Sequence, residues 1–308
     1  MTDSKSSDKD MALSKAIENL LVDRNHRGMA AVQEALEPGY YLRAAQALRD
    51  IRGTVLIGTG FPVDDTYETD GPVGALALYE TLEYLGAEPV LVCGTPLSRT
   101  LAEDYRVHEI AVGNSAGRVT DEGIEPVRLR GGRRSGDPEI STLDALVRIK
   151  PSAVVSIERP GLTAEGRYYN MLGEDITERC ACFDYFVELA GCPTIAIGDG
   201  GNEIGMGNVL DVLEALDIEP STTRCDELLV ADVSNWGAYG LIALLGYWRG
   251  EDLLAHISPR RLLNYLSERG SVDGVTREPT PTEDGFGAEI GETILHSLRE
   301  LTGFGETA

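Results

Sequence analysis

The stretch TIAIGDGGNEIGMGN, residues 194–208, begins as an apolar run and then breaks into five glycines that carry Asp199, Asn202 and Glu203. Its glycines, Gly200 and Gly201 among them, let the backbone reach left-handed conformations and approach a ligand closely. The familiar glycine-loop templates fail. A dinucleotide fingerprint needs glycine where Glu203 stands, and the phosphate-loop lysine is missing. The loop is not a twelve-residue calcium loop either. What remains is an acid, an amide and an acid: hard oxygen donors suited to Mg²⁺, Mn²⁺ or an ammonium group. Acids at the loop repel phosphate, so no nucleotide cofactor is expected. The four histidines lie outside these motifs, which argues against zinc, and no G-x-S-x-G marks a serine nucleophile.

Other apolar runs end in polar residues too. One yields Thr59, Gly60 and Phe61, followed by the acids Asp64, Asp65, Glu68 and Asp70. Another yields Glu158 and Arg159, and a third Asp232, Ser234, Asn235 and Trp236. Glu158–Arg159 reads either as an internal ion pair or as a site. In the second case Arg159 is a planar fork for a substrate carboxylate. Arg167, in EGRYYNM, could serve the same purpose, with Tyr168, Tyr169 and Asn170 as neutral hydrogen-bonding groups. Asp70-Gly71-Pro72 is a helix start: Asp70 is placed to cap free amides, and proline suits the first turn. That helix end could equally face a ligand carboxylate.

The elements that must position these residues are legible. TVLIGTGF, PVLVCGT, AVVSIERPG, TIAIGDGG and ELLVADVSN are continuous apolar runs, as in strands buried on both faces of a parallel sheet. Helical patterns alternate with them: VGALALYETLEYLG, STLDALVRIK, NVLDVLEALDI, GAYGLIALLGYW and AEIGETILHSLREL. The prediction is a doubly wound α/β fold with a mainly parallel sheet of five or more strands and helices on both faces. Ligands in such a sheet bind outside the carboxyl ends of the strands, so the polar strand ends converge on one rim. Residues 12–22 and 29–50 read as helices, the second interrupted at Pro38–Gly39, and Ser271–Gly287 reads as a long loop. No linker divides the chain, so residues 11–308 are taken as a single domain after a disordered polar tail, residues 1–10.

Fifty-one acids against 27 bases give the 308 residues a formal charge of −24. That balance argues against nucleic acid or an anionic membrane as partner. It suits a protein kept soluble by surface carboxylates in high salt, which screens their mutual repulsion. The five cysteines are odd in number and lack metal-knuckle spacing, so they read as reduced thiols. With no signal peptide and no apolar span, the expected location is cytoplasmic.

GTGFP (58–62), ETDGPVGALAL (68–78), SIERPG (156–161), GRYYNM (166–171), GDGGNEIGMG (198–207) and VSNWGAY (233–239) occur together in order. In this the chain resembles the D-glutamate cyclase-like C-terminal domain family from about Asn25 to Trp248, and the acidic balance points to a haloarchaeal member. The resemblance implies a lyase that forms 5-oxo-D-proline and water from D-glutamate, a small amino-acid substrate, with Mn²⁺ or Mg²⁺ as cofactor. The eukaryotic cyclase carries a further N-terminal domain. A separate polypeptide of that kind, or a homo-oligomer, is therefore an implied partner, and a binding or regulatory module is the competing reading. Leu172 stands where the resemblance leads one to expect arginine. On this reading the catalytic residues are Glu68, Glu158, Asp199 and Glu203, with Glu68 or Glu158 moving protons and Asp199 and Glu203 holding metal or amine. Arg159 or Arg167 clamps the α-carboxylate. Thr59, Gly60, Phe61, Asp70, Gly71, Asn170, Gly200, Gly201, Asn202 and Asn235 complete the substrate-binding surface.

Overall fold

The five apolar runs become five parallel strands of one sheet. The computed structural model describes residues 2–113, 118–120, 123–125 and 138–305. Its central sheet comprises β1 (Thr54–Thr59), β2 (Glu88–Cys93), β3 (Val107–Glu109), β4 (Ala153–Ile157), β5 (Thr194–Gly198) and β6 (Glu227–Val230). The order is β6-β5-β4-β1-β2-β3 and every pairing is parallel. β4 and β5 are buried along their whole length, which is why they carry no polar alternation. The edge strand β3 was not legible: VHE has three residues and one aliphatic side chain, too little to carry a strand pattern.

The helices of seven residues or more are α1 (Thr2–Leu21), α2 (Met29–Ala35), α3 (Tyr40–Leu48), α4 (Pro72–Tyr84), α5 (Pro138–Ile149), α6 (Ser234–Arg249), α7 (Pro259–Ser267) and α8 (Ala288–Leu301). They cover both faces. Phe183 packs so tightly over Gly58 that a Cβ there would lie 2.3 Å from its ring, while Gly237 of α6 packs over Ile197. Gly58 pairs with Ser156, and Ser156 with Ala196, so Ile197 faces the opposite side from Gly58. The fold is the doubly wound α/β fold that the alternation of patterns predicts.

Three local expectations differ. The polar segment marked as a tail forms the first half of α1, and the Trp248 indole N–H donates to Asp10 at 3.1 Å; Met1 lies outside the described residues. NVLDVLEALDI yields only a four-residue helix, Leu210–Leu213, after a 3₁₀ turn. The Gly205 and Gly207 amides are drawn instead to the Thr223 carbonyl at 2.9 and 3.1 Å. The loop Ser271–Gly287 contains a small hairpin, Thr282–Glu283 with Phe286–Gly287, and lies against the segment before α4. There Thr69 N–H donates to Val272 O at 2.9 Å, and Val272 N–H donates to Tyr67 O at 3.1 Å. Among the described residues no helix is long and apolar enough to cross a membrane.

Candidate active site

The winding of the sheet reverses between β1 and β4, neighbours in space although β2 and β3 intervene in sequence. A crevice forms outside the strand ends at such a point. Glu158 follows β4 with φ of 46°, a left-handed conformation that costs energy for a side chain larger than glycine. Gly71 covers it: a Cβ there would lie 2.6 Å from the Glu158 Cβ, so the approach requires glycine.

Two helices start at this point and cap each other. Beyond accepting the Gly71 N–H at 2.9 Å just ahead of α4, Asp70 caps a different helix start. Its Oδ2 accepts from Ser234 N–H at 3.0 Å and its Oδ1 from Asn235 N–H at 2.8 Å, both at the start of α6. In return the Asn235 Oδ1 accepts from the Gly71 and Gly74 amides of the α4 start, at 2.9 and 2.6 Å. Free amides at each start are thus satisfied by the other segment's side chain. The Asn235 Nδ2 donates to Glu283 at 2.7 Å, and the Trp236 indole donates to the other Glu283 oxygen at 2.8 Å.

Arg27 supplies the cationic partner. Its Nη1 contacts Asp199 Oδ1 and Asp284 Oδ2, each at 2.6 Å, and its Nη2 contacts Asp284 Oδ1 at 2.8 Å. Asp232, at the end of β6, places Arg27 by accepting from the Arg24 and His26 amides at 2.9 and 3.0 Å. Asp273 shapes the opposite loop: it accepts from the Val275, Thr276 and Gly285 amides and so presents Asp284.

Seven buried carboxyls therefore cluster here, Glu68, Asp70, Glu158, Asp199, Glu203, Glu283 and Asp284, and among the described residues Arg27 contacts two of them, Asp199 and Asp284. Burial pushes Asp70 up to about 8, with Asp284 and Glu283 adding to it. Burial likewise raises Asp199 to about 8 against the pull of Arg27. It raises Glu283 to about 7, and holds Glu68, Glu158 and Asp284 well above the ordinary carboxyl range. Arg27 stays charged, because Asp199 and Asp284 outweigh the burial that opposes its charge. An excess of buried acid of this kind holds protons or takes up a cation.

Asp70, Glu158 and Asp199 each offer an oxygen within 4.8 Å of the others. The Asp199 Oδ2 is buried and has no hydrogen-bond partner. Hard oxygens converging beside an unpartnered acceptor fit a divalent cation such as Mn²⁺ or Mg²⁺. Glu203, which the sequence pairs with Asp199 as ligand, is not in this group. It turns back to accept from Gly201 N–H at 2.7 Å, and its oxygens crowd Gly198 and Gly200. Gly201, with φ of 106°, packs against Ile218.

A cleft of about 260 Å³ opens beside the group, lined among others by Arg27, Phe61, Glu68, Glu158, Asn202 and Asp284. Asn170, Leu172, Arg179 and Arg277 also line it, while Asp70 and Asp199 do not reach its surface. Leu172 is 73% exposed. Gly274 leaves room for Glu68, since a Cβ there would sit 1.9 Å from Glu68 Oε2. The Asn202 Nδ2 donates to Tyr169 O at 2.8 Å, and its side-chain oxygen is buried without a partner. The Thr59 hydroxyl is likewise buried and unpartnered.

Two predicted clamps lie elsewhere. Arg167 pairs with Asp175 and does not line the cleft. The Arg159 Nη1 donates to the carbonyls of Thr59 and Gly60 at 3.0 and 3.1 Å, and its Nη2 to that of Ala181, so it does not pair with Glu158. Asn170 caps its own turn, accepting from the Leu172 and Glu174 amides at 3.0 Å. Conversely, Arg27, Glu283 and Asp284 escape sequence reasoning. An acid pair in a loop of turn formers is a signal for the last two, whereas Arg27 has none.

A family model described as "D-glutamate cyclase-like, C-terminal" matches residues 17–299. The mitochondrial D-glutamate cyclase of Homo sapiens is 31% identical over 225 residues, 66% of this chain and 34% of that protein. The match thus spans about a third of that relative's length. An exopolyphosphatase-related protein from Bacteroides fragilis superposes with a TM-score of 0.37 at 10% identity, over 86% of this chain and 60% of that one, too weak a likeness to carry an inference.

Proposed function

The chain belongs to the D-glutamate cyclase-like, C-terminal family, and from that premise we propose that it is a lyase that closes D-glutamate to 5-oxo-D-proline with loss of water. The observation that carries the reading is the convergence of Asp70, Glu158 and Asp199 beside a cleft whose wall holds both acids and arginines. Asp70, Glu158 and Asp199 would hold Mn²⁺ or Mg²⁺, which when bound supplies Lewis-acid polarisation of a carboxyl oxygen.

The chain's own residues account for the rest. Ring closure joins the amine to the side-chain carboxyl carbon and breaks one C–O bond. Two protons leave nitrogen and two depart with oxygen as water. Glu68 is the proton carrier: its pKa, raised chiefly by burial, lets it keep the ammonium proton until the leaving oxygen takes it. The unpartnered Asn202 oxygen accepts from the substrate ammonium. Arg277 binds a substrate carboxylate. It is 42% exposed at the cleft, and its contacts to Asp64 and Glu174, at 3.4 and 3.7 Å, are long enough to exchange for a ligand.

The test is to incubate the purified chain with D-glutamate and Mn²⁺ or Mg²⁺ in high salt and to measure oxoproline by chromatography. Oxoproline formation supports the lyase; its absence under every condition overturns it for this chain. Saturable D-glutamate binding without turnover supports a second reading, a binding module acting with another polypeptide. That reading is favoured by Asp70 and Asp199, which do not reach the surface of the cleft.

A further inference from the structure

On the other side of the β1 exit lies a second cavity of about 210 Å³, between the ends of β1 and β2. Its lining includes Thr59, Gly60, Cys93, Thr95, Arg159 and Ala181. Arg159 is 2% exposed, and its partners are three neutral backbone carbonyls. Among the described residues it has no carboxylate partner. Its Nε–H is buried without an acceptor. A buried cation with no counter-ion and a spare donor is costly unless something supplies the missing charge.

The thiols facing it do not supply that charge. Burial pushes Cys93 up to about 12 and likewise raises Cys180, although Arg159 pulls both down. The other charged groups lining the cavity are Asp64, Asp65, Glu178 and Arg179. The three acids are exposed, so solvent screens them. Arg179 donates to the Asp64 carbonyl at 3.1 Å. The cavity thus has an inner cationic wall and an outer acidic rim.

We propose that this cavity is a second ligand site, which takes a small amino acid as its zwitterion. Its carboxylate meets Arg159 inside, and its ammonium meets Asp64, Asp65 and Glu178 at the rim. A planar carboxylate matches the guanidinium donors, and 210 Å³ accommodates a molecule of that size. The site adjoins the acid-rich cleft and shares Pro62, Asp64 and Arg179 with it, but Arg159 lines this cavity and not the cleft, so the proposal is tested apart from the lyase reading.

The test is calorimetric titration of the full chain with glycine, and with glycinamide, which keeps the ammonium and lacks the carboxylate. Glycine should bind at one site in the wild type and in Glu68→Gln, and glycinamide should not bind. Arg159→Gln should weaken glycine binding roughly tenfold or more, the usual loss for a hydrogen bond to a charged group. That change also strips three carbonyls of their donor, so Thr95→Leu serves as a second variant. It narrows the cavity and leaves every Arg159 hydrogen bond in place, and it should likewise weaken glycine binding. No glycine binding, equal binding of glycinamide, or glycine binding that survives Thr95→Leu overturns the proposal. So does glycine binding lost in Glu68→Gln, which would put the ligand in the other cleft.

Discussion

The two sides of the β1 exit carry opposite imbalances of charge. Towards β4 and β5, seven buried carboxyls cluster, and Arg27 contacts two of them. Towards β2, Arg159 is buried and, among the described residues, pairs with no carboxylate. One peptide unit separates them: Glu158 faces the first side and Arg159 the second. The left-handed turn at Glu158 splays the two side chains apart, so neighbours of opposite sign do not neutralise each other. Adjacent charges in sequence form a pair only if the backbone lets them. Here the backbone keeps each charge for something else.

The largest expected effect breaks the acidic side. Glu68→Gln should lower oxoproline formation by about 10²–10⁴, the usual worth of a positioned proton carrier, with folding intact by circular dichroism. Asp199→Asn should abolish any stabilisation of the protein by Mn²⁺; a thermal shift that persists would remove Asp199 from the metal group. Next comes the cation paired with the buried acids. Arg27→Gln leaves Asp199 and Asp284 without their partner and should cost about 3–5 kcal/mol in denaturant unfolding at neutral pH. An unchanged midpoint would mean that protons, not Arg27, balance the acids.

The helix junction should respond less. Asn235→Ala removes the acceptor for two α4 amides and a donor to Glu283, and should cost about 2 kcal/mol, whereas a loss under 0.5 kcal/mol would show that water replaces the cap.

A further effect is graded with pH. Asp70 and Asp199 rise from 3.8 to about 8 on folding, so the folded state binds more protons than the unfolded one. Their contribution is complete below the ordinary aspartate range and is lost as pH rises through about 8. Metal-free protein should therefore lose stability between about pH 5 and 8, with a flatter slope in Asp70→Asn. A metal-free stability that climbs over that window would mean these carboxyls stay ionised.

Much of this was legible beforehand. The five long strands announce themselves because burial on both faces demands unbroken apolar runs. Most of the acids flanking the acid-rich cleft follow from reading the strand ends. The differences share a cause: spacing says which residues stand at a strand end, not where their side chains turn. Asp70 reads as the cap of its own helix; it accepts from Gly71 N–H there and also caps α6. Glu203 reads as a ligand beside Asp199, but its carboxylate folds back to accept from the Gly201 amide. Arg159 reads as a fork for the strand-end site, but it turns to the β2 side, where it holds backbone carbonyls.

The sequence by itself determined the parallel sheet, the polar rim at its carboxyl ends, the acidic character of the chain and the motifs of its family. Those depend on residue type and local period. Only the tertiary structure decided that Arg27 and Asp284 meet across 257 positions and that Asn235 and Asp70 exchange caps across 165. It also decided that Glu158 and Arg159 part company. Such contacts arise from the order of strands and the path of loops, which no local pattern encodes.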